Sequence, residues 1–568
     1  MVGLTSDRAM GSRHRAGRRS LPWVGLAAAL WLGIGGCSSS TPTPALTPTS
    51  TAVPTAMPTA TTTLAVTPTP EATPGRPEGT ARLMVPAGAP HLDVHQEVTE
   101  GLISVGPGMV YSRLLRLKAG PGVALPSQQV ECDLCESWEH PDSLTYTFRL
   151  REGVRWQDRP PVNGRTLTAE DVAFSLLRLL TPGTPGATLL SGLESVEASG
   201  PLTVTLTLAS PDADFLGSLA HGQAKVVAPE AVAVNGHLRE GPTIGTGPWI
   251  LESRVGTKSE YAGNPDYFEK GLPGLEMLEV EVAADSEVRL ATLLVGQADI
   301  TTLPLEMRER LQGREGSVQT GRFPQPGTGL LMGLKTSEPP LNRVEVRRAV
   351  YQALDPWEAL REAWDGQGEV ALGVPVERRE WLLSEEELRE YFGDRVEAGR
   401  LLSESGVALP VPLTVSVADF GDRYVALGEL YKSRLESVGF EPTLEILNPR
   451  VYAERIWEAG DFQVFLGPIP PVSGTNRFLS GLLHSRGIWR ITGAVDPELD
   501  GLIERQSVAE EGRGEVLREL QRYVMDQALL FMPVTGSSLW AWRTRVQGFA
   551  PNFASSEYLH WARLRVTE

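Results

Sequence analysis

Val411-Pro-Leu-Thr-Val-Ser-Val417, the run from Tyr424 to Val438, and Thr443-Leu-Glu-Ile446 together decide the fold class. The first piece alternates apolar and polar residues and reads as a strand. The second carries Leu427, Tyr431, Leu435 and Val438 on one helical face, and Gly439 ends it. The third alternates again. Strand, helix and strand in this order form a crossover that lays two strands parallel with the helix over one face. The C-terminal half is therefore predicted to contain an open α/β sheet, and ligands of such sheets sit at the carboxyl ends of the strands.

Working outward, Thr145-Tyr-Thr-Phe-Arg-Leu150 places Tyr146, Phe148 and Leu150 on one face of a strand, with Pro141-Asp-Ser as the turn before it. Thr168-Ala-Glu-Asp171 resembles a capping box, after which Val172, Leu176 and Leu179 recur at helical spacing until Thr181-Pro182-Gly183. Thr203 to Leu208 and Leu278 to Val282 alternate as strands. No repeat of fixed period runs through the chain, which argues against a solenoid or propeller.

The N-terminus is of another kind. Arg13, Arg15, Arg18 and Arg19 precede an apolar run from Leu21 to Ile34 that leads into Gly35-Gly36-Cys37. The run is shorter than the roughly 20 apolar residues of a spanning helix and reads as a secretory signal over residues 1–36. Arg18-Arg19 also hints at twin-arginine export. Gly-Gly-Cys resembles the lipobox of bacterial lipoproteins, which implies a lipid-carrying Cys37; the other reading is a free or disulfide cysteine after an ordinary signal. Ser38 to Pro70 is a Thr/Pro/Ala tract without one charge. It has too few large apolar groups to offset the entropy of ordering, and its prolines hold it extended, so residues 37–80 read as a tether.

The remainder, to Glu568, suits two or three domains. The formal charge is −18, and residues 1–36 carry five Arg against one Asp, so removing that +4 leaves −22. Such an acidic surface repels phosphate and excludes nucleic acid as the expected partner. Cys132-Asp-Leu-Cys135 offers too few ligands for zinc, and its context is not that of a thioredoxin-like motif. A local disulfide is expected, with buried thiols as the alternative. His91 and His95 share a spacing that raises a metal site, but the stretch after Pro90 reads as an extended leading segment, and no metal is expected. No Gly-x-Ser-x-Gly, His-Glu-x-x-His or phosphate loop occurs. Nothing specific points to an enzyme or to a cofactor.

A series of segments resembles the extracellular solute-binding protein family 5, the oligopeptide, dipeptide and nickel receptors of ATP-driven importers. They are Leu92-Asp-Val-His95, Glu136 to Trp156 with Leu167 to Arg178, Ile244-Gly-Thr-Gly-Pro-Trp249, Asn264 to Phe268, Gly296 to Ile300, and Glu338 to Val350 with Ala353-Leu-Asp355. The resemblance implies a two-lobed α/β fold, the type II periplasmic-binding-protein architecture with an extra inserted α+β subdomain. It places the first lobe at 81–113, 242–325 and 533–568, the insert at 114–241 and the second lobe at 326–532. In Ile244-Gly-Thr-Gly-Pro, the two glycines suit a crossing that needs positive φ or close backbone approach. The implied molecule is a monomeric receptor outside the cytoplasmic membrane, held there by lipid. It binds a peptide-like or other organic solute in an interlobe cleft and partners the permease and ATPase subunits of an ABC importer.

Peptide receptors of the family hold the ligand's amino terminus with an Asp in a loop of the second lobe, and the corresponding stretch, Val464 to Leu479, has no acid. A buried ammonium without a carboxylate is costly, so a free α-amine is not expected at that position. The candidate ligand contacts are Thr302, Gly467, Pro468, Arg486, Trp489, Arg490 and Trp540, guanidinium groups suiting carboxylates and indoles suiting stacking. A sensor or adhesion lipoprotein with the same fold and no transport role is the alternative.

Overall fold

The computed structural model describes residues 77–567, apart from 121, 126, 471, 473, 510, 551–556 and 558. Cys37, the signal-like start and the tether up to 76 lie outside the described residues. Among those described, no helix is long and apolar enough to cross a membrane.

The strands that matter, in chain order, are β1 (Thr80–Val85), β2 (Cys135–Asp142), β3 (Thr145–Leu150), β4 (Leu193–Gly200) and β5 (Thr203–Leu208). Then come β6 (Trp249–Val255), β7 (Lys258–Gly263), β8 (Met277–Val282), β9 (Ile300–Leu303) and β10 (Val318–Leu334). The last four are β11 (Val411–Ala418), β12 (Phe440–Leu447), β13 (Val464–Pro468) and β14 (Leu530–Arg543). One continuous sheet runs in the order β12-β11-β13-β10-β14-β9-β1-β8-β7-β6, and a separate four-stranded antiparallel sheet runs β2-β3-β5-β4.

Three apolar clusters meet the ten-stranded sheet along β10 and β14. Leu330 to Leu334 of β10 and Leu530 to Val534 of β14 belong to one core. At the other ends, Val318, Leu539 and Ala541 pack with Leu290, Leu293 and Met307, and Trp540 packs with Ala81, Leu83 and Ile300. Between them Thr535 to Ser538 are only half-buried, and the register of the pair shifts between Pro324 and Gly329. The pair thus leaves one core, bends at a bulge and enters the next.

The crossover read from sequence is present. β11 and β12 pair in parallel, and the helix Asp422–Glu436 between them buries Leu427, Tyr431 and Leu435. It buries Gly428 as well, where an added Cβ would stand 2.9 Å from Val417, so the missing side chain sets how closely helix and sheet approach. Val438 falls beyond the helix and is partly buried against the same core.

The four-stranded sheet follows its alternation: Phe148, Leu150, Val204 and Leu206 are fully buried and Tyr146 nearly so. The Cys132–Cys135 disulfide closes the turn at the head of β2. The helix Ala169–Leu179 buries Val172, Leu176 and Leu179 as its spacing requires. At its start the Asp171 carboxylate accepts the Thr168 backbone N–H at 2.9 Å and also takes Arg165 bidentately.

At the helix's other end, Arg178 forks onto the fully buried Asp93 of the leading segment, with contacts of 3.0 and 2.5 Å. Burial pushes the Asp93 carboxyl up, but the Arg178 fork and the N–H groups of Leu238 and His95 outweigh it and hold the group below its ordinary value. His95 Nε2 donates to the Lys225 carbonyl, 2.8 Å away, and among the described residues no metal-holding group of His, Cys, Asp or Glu side chains is formed. Deeper still, Arg113 is paired with Glu557, both with no exposed side-chain surface, beside Lys225. Burial drives the Lys225 ammonium well down and the Glu557 carboxyl up. Buried charges of this density are tolerable only when each has a partner, and they tie the insert to the first lobe.

Ile244-Gly-Thr-Gly-Pro works by close approach rather than by positive φ. A Cβ on Gly245 would lie 2.0 Å from the Val110 carbonyl oxygen, and one on Gly247 would lie 2.7 Å from the same atom. That oxygen accepts the Gly247 N–H at 2.8 Å, so the two chain segments that enter and leave the insert are clasped backbone to backbone. Gly245→Ala is expected to lower unfolding stability by about 1–3 kcal/mol, because the obstructing atom is main chain and cannot rotate away. Gly399→Ala, on the helix Arg395–Ser405 with open space around it, should instead raise stability by roughly 0.5–1 kcal/mol. Denaturant unfolding of both variants checks the contrast, and equal shifts would refute the clasp.

Candidate functional site

A cavity of about 600 Å³ is lined by residues from the stretches assigned to the insert and the second lobe, with Glu100, Ile103, Ser104 and Gln325 from those assigned to the first. Its near wall holds Asp212 and Asp214 on the turn that leaves β5, together with His221; its far wall holds Glu377, Gly474 to Arg477 and Arg513, and Gln325 and Thr328 reach it from the bulge of β10.

The turn Pro211-Asp-Ala-Asp214 is self-braced, since Asp212 Oδ1 accepts the Asp214 N–H at 3.0 Å. That leaves Asp214 pointing across the gap. Its Oδ1 takes Arg513 Nη2 at 2.5 Å and its Oδ2 accepts the Asn476 N–H at 2.7 Å, at the start of the helix Thr475–Leu482. Gly474, at φ +91°, makes the approach possible: a Cβ there would meet Asp214 Oδ2 at 2.8 Å. Further contacts close the same seam. Ala213 N–H donates to the Ser507 carbonyl at 2.8 Å, Arg513 Nη1 to the Ala213 carbonyl at 3.2 Å, and Arg477 to the Thr188 carbonyl. On the other flank Gln128 N–H donates to the Glu377 carbonyl at 3.0 Å and Arg379 to the Leu125 carbonyl at 2.9 Å.

Asp212 and Glu377 differ from Asp214. Among the described residues neither carboxylate has an ion-pair partner. Burial raises both above their ordinary values, against the pull of Arg513 and Arg477 on Asp212 and of Arg378, Arg513 and Lys118 on Glu377. His221 is driven down to about 4 by burial and by Arg113, Arg477 and Lys225, so it is neutral at physiological pH.

None of the seven contacts expected from sequence lines this cavity. Thr302 and Trp540 pair with each other across β9 and β14, and Trp540 is buried edge-on against Phe549 and Trp561. Gly467 and Pro468 lie in β13 opposite Leu331 and Leu330, and a Cβ on Gly467 would strike the Tyr452 ring at 2.6 Å. Trp489 packs over Gly481 and edge-on to Trp457. Arg490, at φ +34°, lies 3.4 Å from the Ser485 carbonyl, and the exposed Arg486 pairs with Glu504 at 2.9 Å. The acid-free stretch Val464 to Leu479 does reach the cavity, but through its far end, Gly474 to Arg477, and the acids come to it from the insert.

Residues 129–488 match the profile of the bacterial extracellular solute-binding proteins, family 5 (middle region). The chain belongs to that family. A probable di/tripeptide-binding protein of Pseudomonas aeruginosa is 26% identical over 476 residues, covering 78% of this chain and 88% of its own. Among solved structures, HbpA2 from Haemophilus parasuis superposes with a TM-score of 0.74 at 22% identity, over 86% of this chain and all of that one. The ABC transporter substrate-binding protein CtaP from Listeria monocytogenes does so at 0.72 and 19%, over 87% and 100%. Family 5 members bind solutes outside the cytoplasm, and this chain is a solute-binding protein rather than an enzyme.

In this family 5 protein the Asp214 bridge is a largely buried ion pair across the seam, with side-chain exposures of 15% for Asp214 and 7% for Arg513. Asp214→Ala removes one partner of a largely buried ion pair and leaves Arg513 with only the Gln506 side chain and the Ala213 carbonyl, at a cost of about 3 kcal/mol. The variant is expected to show a larger radius of gyration than the parent in small-angle scattering. An unchanged scattering curve would remove Asp214 from the closing contacts.

Proposed function

We propose that this protein is a lipid-anchored receptor that captures a peptide-like organic solute between its lobes and passes it to the permease of an ABC importer. The observation that carries the reading is the cavity, whose walls come from both the insert and the second lobe. A solute held there touches both sides only when they are together, so its binding energy favours the closed arrangement over the open one. The volume, about 600 Å³, falls in the usual range for small-molecule sites. The di/tripeptide-binding name of the Pseudomonas relative supports a peptide-like cargo.

The bulge of β10 and the half-buried centre of β14 supply the bend that closure requires. Thr328 sits both at the bulge and on the cavity lining, so the solute lies against the part that moves. A domain anchored at its N-terminus through a long uncharged tether stays near the membrane while remaining free to turn toward a permease.

Native mass spectrometry of protein purified without refolding, with calorimetry against a pool of di- and tripeptides, tests the cargo. A co-purified small peptide, or micromolar binding from the pool, is expected; a non-peptide passenger together with no binding from the pool would sink the peptide reading. For the anchor, Cys37→Ser is expected to move the protein from the membrane fraction to the soluble fraction. Continued membrane partitioning of the substituted protein would mean that something other than Cys37 holds it.

A further inference from the structure

Residues 369–379 meet the bend, the seam and the insert in turn. At the first end they pair with β14 beside its half-buried centre: Thr535 N–H donates to the Glu369 carbonyl at 2.9 Å, and Ala371 and Met532 exchange both main-chain bonds, at 3.1 and 2.7 Å. Gly373, at φ +78°, lies flat on the same strand, since a Cβ there would stand 2.1 Å from Met532 Sδ. Its carbonyl accepts the N–H of Gly327, in the bulge of β10, at 3.2 Å. Leu372, Val374 and Val376 are buried in the core that holds Leu330 to Leu334, and the Pro375 carbonyl accepts the buried Thr475 hydroxyl at 2.5 Å. Past Val376 the segment leaves that core and reaches the insert. Ser127 and Arg378 form an antiparallel bridge, Gln128 N–H donates to the Glu377 carbonyl at 3.0 Å, and Arg379 donates to the Leu125 carbonyl at 2.9 Å.

We infer that residues 369–379 are a main-chain latch: an arm fixed to the second lobe at the bend, whose tip fastens on the insert when the lobes shut. The inference rests on closure of the cavity between insert and second lobe, and it names the element that fastens it. When the pair β10 and β14 bends, the arm travels with the core in which its middle is buried, and its bonds to Met532, Thr535 and Thr475 travel with it. The bonds of Glu377, Arg378 and Arg379 have their partners on the other side of the seam and must part.

The tip is fastened largely through peptide groups, which pair with each other and need no solute atom to complete them. The arm therefore engages over an empty cavity as well as a filled one, and the shut form exists before any solute arrives. Gln128 and Glu377, which fasten it, also line the cavity, so a solute held there lies against the fastened pair.

Hydrogen exchange on the intact, solute-free protein, read by mass spectrometry, tests this without a variant. The amides of Gln128, Ala213 and Asn476, whose acceptors lie across the seam, are expected to exchange together, with protection at least tenfold below that of Ala371, Met532 and Thr535, which keep their partners when the lobes part. Protection of Gln128 equal to that of Ala371 would show an arm that never lets go, and exchange of Gln128 apart from Ala213 and Asn476 would show one that does not follow closure; either overturns the latch. Ser127→Cys/Arg378→Cys then joins the tip covalently, because directly opposed residues of an antiparallel pair lie within reach of a disulfide. The oxidised pair is expected to slow exchange at Ala213 and Asn476 tenfold or more relative to Ser127→Cys alone. A cross-link that leaves both rates at the single-variant level, or one that does not form under oxidation, overturns the latch. Calorimetry with the di- and tripeptide pool separates this from the receptor reading: seam amides that open together while the pool fails to bind leave the latch standing and remove the peptide cargo, and binding of the pool with Gln128 uncoupled from the seam removes the latch and leaves the receptor.

Discussion

Two strands have to serve more than one core. β10 and β14 each contribute apolar ends to different clusters, and burial of the ends on the order of 25 cal/mol per Å² is what holds each lobe's sheet together. Their centres, half-buried and interrupted by a shift of register, belong to neither. A bend placed anywhere else would open a core; placed there it costs little. The cavity, the seam and the bulge fall together for this reason, since the gap between two lobes has to begin where their shared strands stop packing.

The second constraint is charge. The insert is attached through buried charges rather than through a continuous apolar layer alone: Arg178 pairs with Asp93, and Arg113, held by Glu557, donates to the Ala220 carbonyl of the insert at 2.7 Å. Each pair joins residues far apart in the chain, and a charge left single in such a place costs several kcal/mol. The pairs therefore fix position more than they add stability. That rigidity reaches the cavity, because the turn carrying Asp212 and Asp214 leaves the last turn of the insert's own sheet and inherits its placement.

Periodicity revealed the parts of the fold that are local. Leu427, Tyr431 and Leu435 mark a helix over a parallel pair, and Tyr146, Phe148 and Leu150 mark a strand face, because burial on one side writes itself into spacing. β2 was less legible, since Cys135 to Asp142 is mostly exposed and carries no apolar alternation. The site was least legible. Asp214 reaches Asn476 across 262 positions of sequence, and nothing near either residue encodes the other. Trp540 and Trp489 drew attention because aromatic residues suit ligands as well as cores; Trp540 is buried and Trp489 lies partly buried against a core. The one local signal was Pro211-Asp-Ala-Asp214, a turn in which Asp212 accepts the Asp214 N–H and both acids line the cavity.

Gly474 meets Asp214 with no room for even a methyl group between them. The seam is therefore a gauge as well as a fastening. A Cβ at position 474 would already press on that carboxylate, so the spacing of the two segments at this point is set to within the width of one carbon atom, and a single methyl group would be enough to part Asp214 from the Asn476 N–H.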